Sequence, residues 1–224
     1  MCRMAGFSLV NPGGIGWISE FVSRMAREGK GAPHGDGFGY VLVSDDAFVY
    51  AKFFTPIYES NEKPAGTFKL GIVHARKASE GVPLGVRQVH PFYSGEKFFA
   101  HNGTVFSAAR TNPYESDTFD YFASVKDFEN FQGLVLKIRS FAQSNRYSGL
   151  NFLMLDTLEN ALYVCCLFNS ERTDDYFVLH YKESSEGFFV FSEKYDNSYQ
   201  TMANGEVLKV LNGRIVERGN VFDA

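Results

Sequence analysis

The sequence predicts an α+β fold in one domain, residues 1–224, with sheets stacked face to face and helices outside. Three observations lead there. Short runs of aromatic and β-branched residues recur toward both ends of the chain, helical patterns are grouped between them, and no linker, repeat or low-complexity tract divides the chain. With 224 residues, 45% apolar and 16% aromatic, the chain can bury one sizeable core.

Residues 6–10 read as a short strand and Asn11-Pro12-Gly13-Gly14 as a turn. Ile18, Phe21, Val22, Met25 and Ala26 then recur at helical spacing, which predicts an amphipathic helix over 17–28. Strands follow at 38–43, 48–53, 68–74, 86–90 and 97–101. Ser116 stands where it can cap a helix opening at Asp117, whose carboxylate meets the positive end of the helix dipole. Leu134, Ile138 and Phe141 predict a further helix to about residue 144. Strands return at 151–155, 161–168, 176–181, 188–191 and 207–211, and Asn212-Gly213 reads as the apex of a hairpin.

Charge and cysteine usage narrow the class of partner. Twenty-two basic and 26 acidic residues, without a long run of either sign, give nothing that would attract nucleic acid or an anionic membrane. No stretch approaches the ~18 apolar residues of a membrane-spanning helix, and no secretory leader pattern opens the chain. Cys2, Cys165 and Cys166 are an odd set without framework spacing, which fits a reducing cytoplasm. The expected partner is a small molecule.

Four places carry candidate chemistry. Cys2 becomes N-terminal on loss of Met1; its α-amine, with a reference pKa of about 7.7–8.0, can then take the proton of its own thiol, at about 8.5. Arg76 follows a strand, in His74-Ala75-Arg76-Lys77-Ala78-Ser79, and its planar guanidinium suits a carboxylate. In His101-Asn102-Gly103 an amide side chain and a backbone N–H can together form an oxyanion hole. Asp117 opens a helix and can receive an ammonium group. Two other patterns are set aside: Gly13-Gly14-Ile15-Gly16 has Ser19 where a dinucleotide loop needs its third glycine, and the spacings of His34, His74, His90 and His101 match no ligand motif. No metal and no cofactor are expected.

In this order the blocks Met1-Cys2, His34-Gly35-Asp36-Gly37-Phe38-Gly39, His74 to Ser79, His90-Pro91-Phe92, His101-Asn102-Gly103 and Ser116-Asp117-Thr118 resemble those of the class II glutamine amidotransferases. The resemblance spans most of the chain and implies a four-layer α-β-β-α N-terminal nucleophile hydrolase sandwich. It implies that Cys2 is nucleophile and base, that Asn102 and Gly103 form the oxyanion hole, and that Arg76 and Asp117 hold the α-carboxylate and α-ammonium of a γ-glutamyl substrate. Ser79, His90 and His34 are expected to complete the substrate site. His34, Lys77, Tyr114 and residues 106–114 are expected on the leaving-group side. Lys77, Ser79 and His34 replace the tryptophan, threonine and arginine usual in the large ammonia-transferring members. The chain is thus more similar to small stand-alone γ-glutamyl hydrolases, such as those of ergothioneine synthesis and glutathione breakdown. A separate ammonia-consuming synthase subunit and a second copy of the chain are the protein partners this reading leaves open. The alternative reading keeps the fold without turnover, as a regulatory or partner subunit.

Overall fold

A computed structural model describes residues 2–169 and 175–223. Its elements follow the predicted order: β1 (Arg3–Gly14), α1 (Gly16–Glu28), β2 (Phe38–Val43), β3 (Phe48–Phe53), β4 (Thr67–Ala75), β5 (Phe92–Ser94) and β6 (Lys97–Asn102). After α2 (Asp117–Val125) and α3 (Phe131–Ser144) come β7 (Asn151–Asp156), β8 (Ala161–Cys166), β9 (His180–Glu183), β10 (Gly187–Phe191), β11 (Gln200–Thr201), β12 (Glu206–Leu211) and β13 (Arg214–Asn220). One antiparallel sheet runs β11-β9-β10-β1-β4-β2-β3 and the other β13-β12-β8-β7-β6-β5.

Alternation along each strand sorts apolar residues into three slabs. Between the sheets lie Met4, Val41, Leu70 and Ile72 from one, with Phe98, Ala100, Leu153, Leu155 and Leu162 from the other. The opposite face of the first sheet presents Phe7, Phe38, Tyr40 and Phe191 to Ile18, Phe21, Val22 and Met25 of α1. The opposite face of the second presents Phe99, Phe152 and Met154 to Tyr121, Phe122, Leu134 and Ile138 of α2 and α3. These slabs make the four layers α-β-β-α. No helix among the described residues is long and apolar enough to cross a membrane.

Several boundaries differ from the sequence reading. The turn expected at Asn11-Pro12-Gly13-Gly14 lies inside β1, which absorbs it as a register shift between Ser8 and Gly13 and resumes pairing at Gly13 with Phe68. The strand expected at 86–90 is a single 3-10 turn, Val86–Gln88. Pro91 cannot donate to a ladder, and pairing starts only after it, at Phe92. The strand expected from residue 176 is shorter, because Asp175–Phe177 is another 3-10 turn. Asn212 and Gly213 both take positive φ, 47° and 76°, and join β12 to β13 as expected of an Asn-Gly hairpin.

Ser116 occupies the cap position of α2 but makes no side-chain cap bond. The capped helix is α3, where the Asn130 side chain accepts the Gly133 N–H at 2.9 Å. Asn130→Ala is expected to lower stability by about 1 kcal/mol in urea unfolding without changing the m-value. A loss below ~0.3 kcal/mol would show that solvent satisfies that N–H equally well.

Candidate active site

The site forms where the start of β1, the end of β4 and the end of β6 come together. Because β1 is the central strand of its sheet, paired to β4 and β10, Cys2 enters from a backbone held on both sides. Arg3, fully buried, anchors the next position. Its Nε lies 2.8 Å from Glu193 Oε1, its guanidinium sits 4.4 Å from the Tyr176 ring centroid, and it donates to the Lys30 carbonyl.

The motif His34 to Gly39 acts on the far end of β4. Asp36 N–H donates to the Arg76 carbonyl (3.0 Å) and Arg76 N–H donates to the Gly37 carbonyl (2.8 Å). Gly37 needs its glycine for φ of 106°. The Asp36 carboxylate then accepts the Ala78 N–H at 2.8 Å, which fixes the loop leaving Arg76. Asp36 thus aims a segment that itself lines the cavity, a positioning role that the spacing of residue types did not show.

A small cavity of about 20 Å³ is lined by Cys2, Arg76, Lys77, Ala78, Ser79, Val82, Gln88, His90, His101, Gly103, Ser116, Asp117 and Thr118. Cys2 Sγ lies 3.8 Å from the Lys77 carbonyl. The nitrogen of Cys2, a peptide N–H before Met1 is removed and an amine afterwards, donates to Asn102 Oδ1 at 2.9 Å. That bond orients the amide, so the Asn102 Nδ2 is the free end: it is buried and has no partner. Gly103 follows, and a Cβ there would lie 1.8 Å from the Gly149 carbonyl oxygen, so the turn beside Asn102 accepts glycine alone.

Arg76 and Asp117 face the same cavity, both almost fully buried. Arg76 Nη2 donates to the Pro83 carbonyl at 3.2 Å, while Nη1 is buried without a partner. Burial pulls the Arg76 pKa down, opposed by Cys2, Asp36 and Asp117, and an arginine stays charged throughout. One Asp117 oxygen accepts the Val105 N–H at 2.8 Å. Ser79 Oγ and Thr104 Oγ1 are 2.6 Å apart. The cavity therefore presents a thiol, an unpaired guanidinium N–H and a carboxylate, and the unpaired Asn102 amide N–H lies behind them, held to Cys2 through its oxygen.

Of the other residues expected at the site, His90 lines the cavity, but His34 does not. Its Nδ1 lies 3.3 Å from the Ala26 carbonyl and its Nε2 3.1 Å from the Tyr176 hydroxyl. Burial, then Arg3, pushes its pKa down to about 3, so it is neutral near pH 7. Lys77 borders the cavity while its ammonium donates to the Gly31 carbonyl. Tyr114 packs on Phe92 and Phe119. Gln88, whose Nε2 donates to the Tyr114 carbonyl, is a lining residue with no signature in the sequence.

A buried chain of imidazoles underlies the site. His74 Nε2 lies 3.3 Å from the His101 carbonyl and 3.1 Å from His90 Nδ1, which also receives the His101 N–H at 3.4 Å. Since His90 Nδ1 accepts from a backbone N–H, His74 must donate to it, which leaves His74 Nδ1 as the acceptor without a partner. Desolvation lowers the pKa of His74 to about 3 and holds His90 well below its usual value.

No protein-family model matches the chain, and no curated protein does. This chain shares the fold of solved glutamine amidotransferase class II domains, with two facing antiparallel sheets and outer helices. One such structure is a glutamine aminotransferase class-II domain protein from Silicibacter pomeroyi, similar over 98% of this chain and 99% of the other at 15% identity and a TM-score of 0.61. Another is a predicted glutamine amidotransferase from Pseudomonas aeruginosa PA01, similar over 96% and 100% at 17% identity and a TM-score of 0.59.

Proposed function

We propose that the chain is a γ-glutamyl amidohydrolase of the class II glutamine amidotransferase type, acting on glutamine or a small γ-glutamyl compound. The observation that carries this reading is the Cys2–Asn102 pair: the nitrogen of Cys2 holds the amide by its oxygen, and the opposite Nδ2–H is left buried and unpaired. A buried donor without an acceptor costs about 1–3 kcal/mol, and an oxyanion would satisfy it. The shared fold and the Arg76 and Asp117 charges, suited to an α-amino acid head group, support the same reading.

After removal of Met1, the Cys2 amine takes the thiol proton and the sulfur attacks the γ-carbonyl carbon. The carbonyl electrons move to oxygen, which Asn102 Nδ2–H and the Gly103 N–H receive. Collapse breaks the C–N bond, and the Cys2 ammonium returns its proton to the departing ammonia or amine. A water, deprotonated by the same amine, then attacks the thioester and releases glutamate. With glutamine as substrate, the protein partner such chemistry would serve is an ammonia-consuming synthase.

The test is glutamate release from glutamine and a panel of γ-glutamyl amides. It compares protein whose intact mass shows Met1 absent with protein carrying one residue ahead of Cys2. Release is expected only from the processed form. Silence from the processed form across the panel would overturn the reading, as would equal release from both.

A further inference from the structure

Cys2, His74 and His90 come together from three strands or strand ends, and one ligand atom from each lies within 4.8 Å of the other two. We propose that these three residues form a binding site for a thiophilic divalent cation of the zinc class, which occupies the nucleophile and holds the protein in an inactive form. The inference is independent of substrate identity and goes beyond the hydrolytic reading, since it concerns a ligand that the hydrolysis does not use.

The donor set is that of tetrahedral zinc, one thiolate and two imidazoles, with a fourth position left to solvent. A tetrahedral ion with Zn–N of about 2.05 Å and Zn–S of about 2.3 Å needs its nitrogens roughly 3.4 Å apart and each roughly 3.5 Å from sulfur. The His90 Nδ1 to His74 Nε2 separation is 3.1 Å, and the sulfur edge needs only a side-chain adjustment from within 4.8 Å. All three residues are buried, and the adjoining cavity of about 20 Å³ has room for one water as fourth ligand. The second observation is the orphaned His74 Nδ1: the pair of rings holds more acceptor nitrogens than the surrounding N–H groups satisfy. The orphaned Nδ1 is free to take the His74 ring proton, which turns Nε2 into a ligand, and the ion then replaces the His74–His90 hydrogen bond.

Binding converts the Cys2 thiol to a thiolate and releases one proton to solvent. In the free protein the His101 carbonyl and N–H contact these same two nitrogens, His74 Nε2 at 3.3 Å and His90 Nδ1 at 3.4 Å, and an ion replaces both contacts as it binds. Cys165 and Cys166 are also buried, but both thiols are pushed to higher pKa by burial and no histidine joins them in a cluster among the described residues.

The experiment uses Co²⁺ as a spectroscopic probe on processed protein with no substrate present. The expected result is one equivalent bound, with a sulfur-to-cobalt charge-transfer band in the near ultraviolet and the visible bands of a tetrahedral ion. Cys2→Ser is expected to abolish the charge-transfer band. His74→Ala and His90→Ala are expected to weaken binding by more than the ~10–100-fold that loss of an outer-shell partner costs. His74→Gln, which keeps a donor for the His101 carbonyl, is expected to bind as poorly as His74→Ala, which guards against misfolding as the cause. The proposal is overturned by the absence of a charge-transfer band, by a band that survives Cys2→Ser, or by unchanged affinity in both histidine variants.

Discussion

Asn102→Ala in the processed protein is expected to slow glutamate release by about 10²–10³-fold in kcat, with KM changed far less, and Cys2→Ala to remove release entirely. The asymmetry follows from geometry. Asn102 has two ends: Oδ1 takes the Cys2 nitrogen at 2.9 Å, and Nδ2 is the buried donor without a partner. A donor aimed where negative charge develops contributes chiefly in the transition state, and removing one costs roughly 2.7–4 kcal/mol of barrier. Asn102→Asp separates the two ends, since it keeps an acceptor for the Cys2 amine and loses the N–H. Its expected rate is no better than that of the alanine variant. Steady-state kinetics on one γ-glutamyl amide decides the matter: a loss confined to KM would mean that Asn102 binds the ground state and is no oxyanion donor.

Acidification is expected to unfold the protein between about pH 6 and pH 4. His34 and His74 have folded pKa values of about 3 and His90 lies well below 6.5, all chiefly from desolvation. Burial also lowers His101, with Asp117 opposing. In the unfolded chain each imidazole titrates near 6.5. Below that pH the unfolded state binds protons that the folded state refuses, so the contribution is fully present above about 6.5 and is lost as pH falls toward 3. Each imidazole whose folded value lies near 3 costs up to about 1.4 kcal/mol per pH unit in this window, so His34 and His74 alone cost up to ~3 kcal/mol per unit, against a total stability of about 5–15 kcal/mol. Urea midpoints at pH 7.5, 6 and 5 measure this directly. A midpoint unchanged from pH 7.5 to 5 would show that the folded protein takes up these protons.

The parts of the site legible in the sequence are those whose chemistry is local. Cys2 is marked by its position, Asn102 and Gly103 by adjacency, and Arg76 and Asp117 by strand and helix ends, and the fold brings all but Asn102 to the lining of one cavity, with Asn102 bonded to Cys2 behind it. The His74–His90 contact is different. It joins residues 16 apart on either side of a long loop, and only the placement of β4 in one sheet and of the lead into β5 in the other brings the ring nitrogens to 3.1 Å. Gln88 was hidden for a second reason. Val86 and Val89 give the segment a strand-like composition, but Pro91 withholds a ladder donor, so the chain curls into a 3-10 turn and aims Gln88 inward. His34 is the reverse case: it neighbours Asp36 in the motif, but its ring is spent on α1 and Tyr176 and does not line the cavity.

Arg76 and the segment after it also set how a substrate gains entry. Lys77, Ala78, Ser79 and Val82 stand in the wall of the site cavity, and the Pro83 carbonyl accepts from Arg76 Nη2. Were a ligand to bind only when residues 77–85 swing aside, its apparent Kd would be the intrinsic Kd divided by the open fraction, so a form open one time in a hundred would weaken binding about 100-fold. Substitutions in this loop that favour opening should raise affinity and exposure to bulk water together. Shelter of the site from bulk water and ease of capture would then be set against each other by one short stretch of chain.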